Sequence, residues 1–99
     1  MIVVQVLARA TPENVARLEH TLREVVAEAR QSPGCLSYAW YRSPDAEREF
    51  LVYAEFDTDE AFAEYRKGPV GRKFVEQVAP LFEGRPSFKL LNAAALKQG

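Results

Sequence analysis

Most of what catalytic and regulatory chemistry draws on is scarce in this chain. Its 99 residues include one histidine, one cysteine, one tryptophan and one methionine. A single cysteine, Cys35, excludes an internal disulfide and, by itself, a structural zinc site. No apolar run reaches the roughly 18–20 residues of a membrane span. The opening Met1-Ile2-Val3-Val4-Gln5-Val6-Leu7 lacks the basic flank and small-residue cleavage site of a secretory signal, so a cytoplasmic location is expected. Charge of one sign is missing too. Thirteen basic residues against 14 acidic ones leave a net −1, without the basic stripe that nucleic acid or an anionic membrane would require. No histidine, cysteine and carboxylate set has metal-ligand spacing, and His20, on the far side of its helix, cannot complete a serine triad. Gly68-Pro69-Val70-Gly71 follows no strand, so it reads as a helix start rather than a phosphate loop.

What is present is apolar surface, 47% of the residues, in short elements punctuated by proline and glycine. This predicts one domain over residues 1–99, with a core to about residue 92 and a tail over 93–99. Residues 2–9 alternate and are rich in β-branched side chains, so a strand is expected. Thr11 and Pro12 open a helix to about Arg30, whose apolar stripe is Val15, Leu18, Leu22, Val25, Val26 and Ala29. Residues 35–42 and 49–56 flank the turn at Pro44-Asp45 and form a hairpin. Asp57 caps a second helix, with Glu60 at the capping-box position. A third helix carries Val70, Phe74 and Val78 and closes at Pro80, and residues 86–92 form the last strand. The order β-α-β-β-α-(α)-β, with right-handed crossovers, predicts an α+β, ferredoxin-like fold with a four-stranded antiparallel sheet and its helices on one face.

The hairpin decides which side chains share a face. Setting Ser43 opposite Arg48 pairs Tyr41 with Phe50, Ala39 with Val52, Ser37 with Ala54 and Cys35 with Phe56, all toward the helices. Leu36, Tyr38, Trp40 and Arg42 then share the other face with Glu55, Tyr53, Leu51 and Glu49, making Arg42–Glu49 a cross-strand pair. One protomer's helices cover one face only. Tyr38, Trp40, Leu51 and Tyr53 would stay in water, a larger apolar patch than soluble monomers tolerate. A homodimer sealed through that face is therefore expected, with the C-terminal tail as the alternative cover. On the helix side, small residues ringed by Tyr41, Phe50, Phe56, Phe62, Tyr65 and Phe74 make either a filled core or a flat cavity for an aromatic ligand. The polar groups available there are Tyr65, Tyr41, Ser37 and the mid-strand Gln5. Cys35 reads as a small buried hydrophobe and Arg72-Lys73 as a solvated helix face.

Several local strings resemble one family. Ser32-Pro33-Gly34-Cys35-Leu36-Ser37-Tyr38 is similar to its "PGC-x-x-Y" run into the second strand. Phe50-Leu51-Val52-Tyr53-Ala54-Glu55-Phe56-Asp57-Thr58-Asp59-Glu60-Ala61-Phe62 is similar to its third strand and the acidic helix start that follows. Gly68-Pro69-Val70-Gly71-Arg72-Lys73-Phe74 falls at its short segment ending in phenylalanine. The family is the antibiotic biosynthesis monooxygenases, which include quinol monooxygenases. The resemblance implies a dimeric α+β barrel that oxidises a phenolic or quinol-like aromatic substrate with O₂, using no metal, flavin or other cofactor. Among the residues this chain offers for such a reaction, Tyr65 is expected to contact the substrate oxygen as the catalytic group, with Gln5, Ser37, Tyr41, Phe56, Phe62 and Phe74 around the substrate. Members often carry histidine where Tyr65 and Val70 stand and Glu-x-Trp where Ala54-Glu55-Phe56 stands. The iron-ligating histidine of the haem-degrading branch falls at Val75, which cannot ligate iron. The losses leave two further readings open: a non-catalytic ligand-binding or stress-associated dimer, and an isomerase or decarboxylase on the same barrel.

Overall fold

A computed structural model describes residues 1–98; Gly99 lies outside the described residues. The strands are β1 (Ile2–Arg9), β2 (Cys35–Arg42), β3 (Glu49–Phe56) and β4 (Ser87–Asn92). They form an antiparallel sheet in the order β2-β3-β1-β4. This is the ferredoxin-like arrangement that the element order predicts, with one crossover helix, α1 (Val15–Ala29), and a helical segment after β3. That segment is α2 (Asp59–Lys67), then α3 (Pro69–Lys73), which continues through a π turn (Phe74–Val78) and a 3₁₀ turn (Ala79–Leu81). No helix among the described residues is long and apolar enough to cross a membrane.

The core lies between the helices and one sheet face. Ile2, Val4, Val6 and Ala8 of β1 point into it, as do Phe50, Val52, Ala54 and Phe56 of β3. They meet the stripe Leu18, Leu22, Val25, Val26 and Ala29 of α1, at the helical period expected. Thr11 precedes a 3₁₀ turn (Pro12–Asn14) that leads into α1, and its hydroxyl accepts from the side-chain amide of Asn14 at 2.7 Å rather than from a helix backbone N–H. At α2 the cap is Thr58 rather than Asp57. Thr58 Oγ1 accepts from the Ala61 N–H at 3.1 Å, so the helix starts one residue later than the acidic pattern indicates.

The hairpin register differs from the expected one. Cys35 opposes Phe56 as predicted, but a β-bulge at Leu36 shifts every pair beyond it. Ser37 opposes Glu55, Tyr38 opposes Ala54, Ala39 opposes Tyr53, Trp40 opposes Val52 and Tyr41 opposes Leu51. Because side chains alternate with period two, one extra residue exchanges the two faces of β2. Tyr38 and Trp40 therefore pack under the helices, not on the open face. Ser37, Ala39 and Tyr41 take their place outside. Arg42 pairs with Glu19 of α1, not with Glu49. The Arg30 guanidinium donates to the Tyr38 carbonyl at 2.9 Å, holding this edge strand just past the bulge.

Candidate functional site

Two aromatic side chains come together at one polar point. Tyr65, on the inner face of α2, and Tyr38, turned inward by the bulge, place their hydroxyl oxygens 2.7 Å apart. Around them Phe56 lies 5.0 Å from the Tyr65 ring and 5.4 Å from Phe62, while Phe74 meets Phe82 edge-on at 6.3 Å. These rings, with Val4, Val6 and Ala54 of the sheet, enclose a cavity of about 240 Å³ between sheet and helices. The floor is small and β-branched and the walls are aromatic, a shape that suits a flat ring. Phe88 of β4 and Val75 of the π turn stand at its rim, both well exposed.

Beside the cavity, α2 and α3 meet without a side chain between them. A Cβ on Gly71 would sit 2.7 Å from the Arg66 carbonyl oxygen and closer still to that of Tyr65. Only glycine permits this approach, which sets the angle at which Phe74 and Val75 reach over the cavity. The π turn follows directly, its wider winding moving Phe74 and Val75 relative to Val78, which is fully buried.

Both phenols hold their protons. Burial pushes Tyr38 far above the ordinary tyrosine value, and the neighbouring Tyr65 adds to the shift. Burial also raises Tyr65, although the hydrogen bond from Tyr38 opposes it. Either oxygen could donate. Neither hydroxyl has another hydrogen-bond partner among the described residues, and the arrangement in which Tyr38, the more deeply buried, donates leaves Tyr65 its own proton. The Tyr65 proton is then free to point into the cavity. These shifts also give a pH dependence. A phenol whose pKa rises on folding stabilises the fold below the unfolded value of 10.0, and the stabilisation is lost as pH climbs above it. Denaturant midpoints are expected to hold between pH 7 and 9 and to fall above pH 10, and Tyr38→Phe should flatten that fall.

Of the residues singled out from sequence, the structure brings together Tyr65, Phe56, Phe62 and Phe74. It does not bring Gln5, Ser37 or Tyr41 to the cavity. Gln5 opposes Tyr53 and Lys89 on the open face, and Ser37 and Tyr41 lie there because of the bulge; Tyr41 is 56% exposed. Tyr38 was missing from the expected set for the same reason. His20 is on the outer face of α1, 3.4 Å from Glu24. The Cys35 thiol, half-buried, donates to the Ser37 carbonyl at 3.5 Å, and burial raises its pKa, against a nucleophilic role.

The family model described as "Antibiotic biosynthesis monooxygenase" matches residues 1–77, which hold β1 through all but the last residue of the π turn. The chain belongs to this family. Solved structures share the fold of this family member at low sequence identity. The Mycobacterium tuberculosis protein Rv0793 is 22% identical over 98% of each chain, with a TM-score of 0.88. A structure described as an antibiotic biosynthesis monooxygenase is 20% identical over 96% of this chain and all of its own, with a TM-score of 0.85. PA3566 from Pseudomonas aeruginosa is 21% identical over 95% of this chain and 94% of its own, with a TM-score of 0.82. No curated protein sequence matches the chain. In this antibiotic biosynthesis monooxygenase family member, the tyrosine pair places two hydrogen-bonded hydroxyls in the cavity lining, and no lining side chain among the described residues is a histidine or carboxylate.

Proposed function

We propose that the protein is a homodimeric, cofactor-independent monooxygenase that oxidises a phenolic or quinol-like ring with O₂ in the cavity between sheet and helices. The observation that carries this reading is the aromatic-walled cavity with the hydrogen-bonded Tyr38–Tyr65 hydroxyl pair in its lining. An electron-rich phenolate or enolate can itself pass an electron to O₂. The chain's work is then to bind the ring, to donate a hydrogen bond to the oxygen on which its negative charge collects, and to exclude water. Phe56, Phe62 and Phe74 do the first and third of these; Tyr65 does the second. With an anthrone the step balances as follows. The two C–H bonds of the ring methylene and the O–O bond break, one C=O bond forms, and both hydrogens leave with the second oxygen atom as water. The substrate carbon is oxidised and O₂ is reduced. With no carboxylate or imidazole in the lining, the substrate must be acidic enough to lose its proton to bulk water before it is enclosed, its anion then being held by the Tyr65 hydrogen bond.

The dimer rests on the open sheet face. Leu7, Tyr41 and Leu91 are exposed there beside Leu51, Tyr53 and Ala39, and the tail does not cover them, since Leu96 is 100% exposed. The patch is less aromatic than expected, because Tyr38 and Trp40 have turned inward, yet it remains broad enough to favour a second copy.

Oxygen uptake with a panel of quinols and anthrones tests the activity, and light scattering should give twice the protomer mass. The lack of a base in the lining favours a second reading, a ligand-binding dimer without chemistry. Panel compounds that bind without oxygen uptake would establish that reading instead, and turnover that survives without oxygen would point to an isomerase or decarboxylase.

A further inference from the structure

The cavity lining is apolar or hydroxylic except at one place. Arg66 is the single charged residue among those that line it. It follows Tyr65 in the last turn of α2, and its guanidinium lies 5.5 Å from the centre of the Phe62 ring, one of the cavity walls. It makes no ion pair among the described residues, unlike Arg42, Arg48 and Lys73, each of which has a carboxylate partner. Arg66 itself is exposed, whereas Tyr65 next to it is half-buried and its hydroxyl reaches the buried Tyr38. The lining thus presents two different polar groups on adjacent residues. One is a half-buried hydroxyl, and the other is an exposed cation without an ion-pair partner among the described residues, set over an aromatic face.

We propose that Arg66 selects ring substrates that carry a carboxylate, or a comparable anionic group, at the end opposite the reacting oxygen. The proposal rests on the reading of the cavity as the substrate site and adds the substrate's charge to it. A guanidinium left without a carboxylate of its own offers a planar pair of donors to one arriving with a ligand. The apolar walls would hold the ring between the two polar points, so the charged group would set which end enters first. Orientation is the benefit, because the oxygen to be activated must reach Tyr65 rather than the rim.

Binding rather than turnover tests this, so that a catalytically silent protein still answers. The probes are a naphthol and the hydroxynaphthoate that adds a carboxylate at the far end of the same ring pair, titrated by calorimetry against the full chain. The native protein is expected to bind the hydroxynaphthoate about tenfold more tightly at low salt, the preference shrinking as salt rises. Arg66→Gln should remove the preference while leaving naphthol binding within about twofold, and Arg66→Glu should reverse it. Arg66 is exposed, so neither change threatens the fold. Equal binding of the two probes by the native protein, or a preference that persists in Arg66→Gln, would overturn the assignment of Arg66 but not the cavity. Failure of both probes to bind, at concentrations where the fold is intact, would overturn the cavity reading and this inference with it.

Discussion

Tyr65→Phe is expected to lower oxygen uptake by about a hundredfold while changing ring affinity by no more than about threefold. The two effects separate because the ring and the hydroxyl do different things. The ring packs 5.0 Å from Phe56 and 6.3 Å from Phe62, and phenylalanine keeps both contacts. The hydroxyl lies in the cavity lining, and burial raises its pKa above the ordinary tyrosine value, so it is neutral near pH 7. Tyr38→Phe should cost less, about tenfold. It leaves Tyr65 in place but removes the donor that polarises its O–H, a cooperative contribution rather than a direct contact. An oxygen electrode gives the rates and direct titration gives the affinities. An unchanged rate in Tyr65→Phe, with the ring still bound, would remove the tyrosine from the chemistry.

The largest stability effect is expected at Gly71. Alanine in a helix ordinarily improves on glycine by about 1 kcal/mol. Here the sign reverses, because the new Cβ would meet the backbone carbonyls of Tyr65 and Arg66 and neither can rotate away. Parting α2 from α3 to make room would disturb Phe74 and Val78 as well. Gly71→Ala is expected to cost about 3 kcal/mol, and so to lower the melting temperature by on the order of 15 °C. Thermal unfolding followed by circular dichroism checks this, and a melting temperature equal to that of the native chain would show that the α2–α3 junction yields freely.

Much of the architecture was legible because two strong periodicities run through the chain. The α1 stripe from Leu18 to Ala29 and the alternation of β1 and β3 each have one apolar set that can only face a core. The inward position of Phe56 follows from the β3 alternation, and those of Phe62, Tyr65 and Phe74 from their own spacing on the helical segment after it. In β2 the pattern carries no such instruction. Cys35-Leu36-Ser37-Tyr38-Ala39-Trp40-Tyr41 has apolar residues on both alternating sets, so the composition fits either phase equally. No glycine or proline within the strand announces the bulge, and the misplacing of Tyr38, Trp40, Ser37 and Tyr41 stems from that silence. Gln5 fails for a different reason. A polar residue among valines can sit beneath a ligand or on the open face, and only its pairing with Tyr53 and Lys89 decides. Arg66 was passed over because one cation on an exposed helix turn looks like solvent-facing charge until its neighbours are known.

The kink at Leu36 also carries a consequence for how this domain can diversify. The pairs from Ser37 to Arg42 keep their partners on β3 whatever becomes of the extra residue at the far end of the hairpin. Loss of the single codon for Leu36 would only straighten the strand, bringing Ser37 next to Cys35 opposite Glu55 and Phe56, and would leave Tyr38 and Trp40 inward and Tyr41 outward. A one-residue change in the turn between β2 and β3 would instead slip the whole strand and exchange its faces. Length changes ahead of Ser37 should therefore spare the chamber, whereas those in the turn would remake the chamber and the open face together.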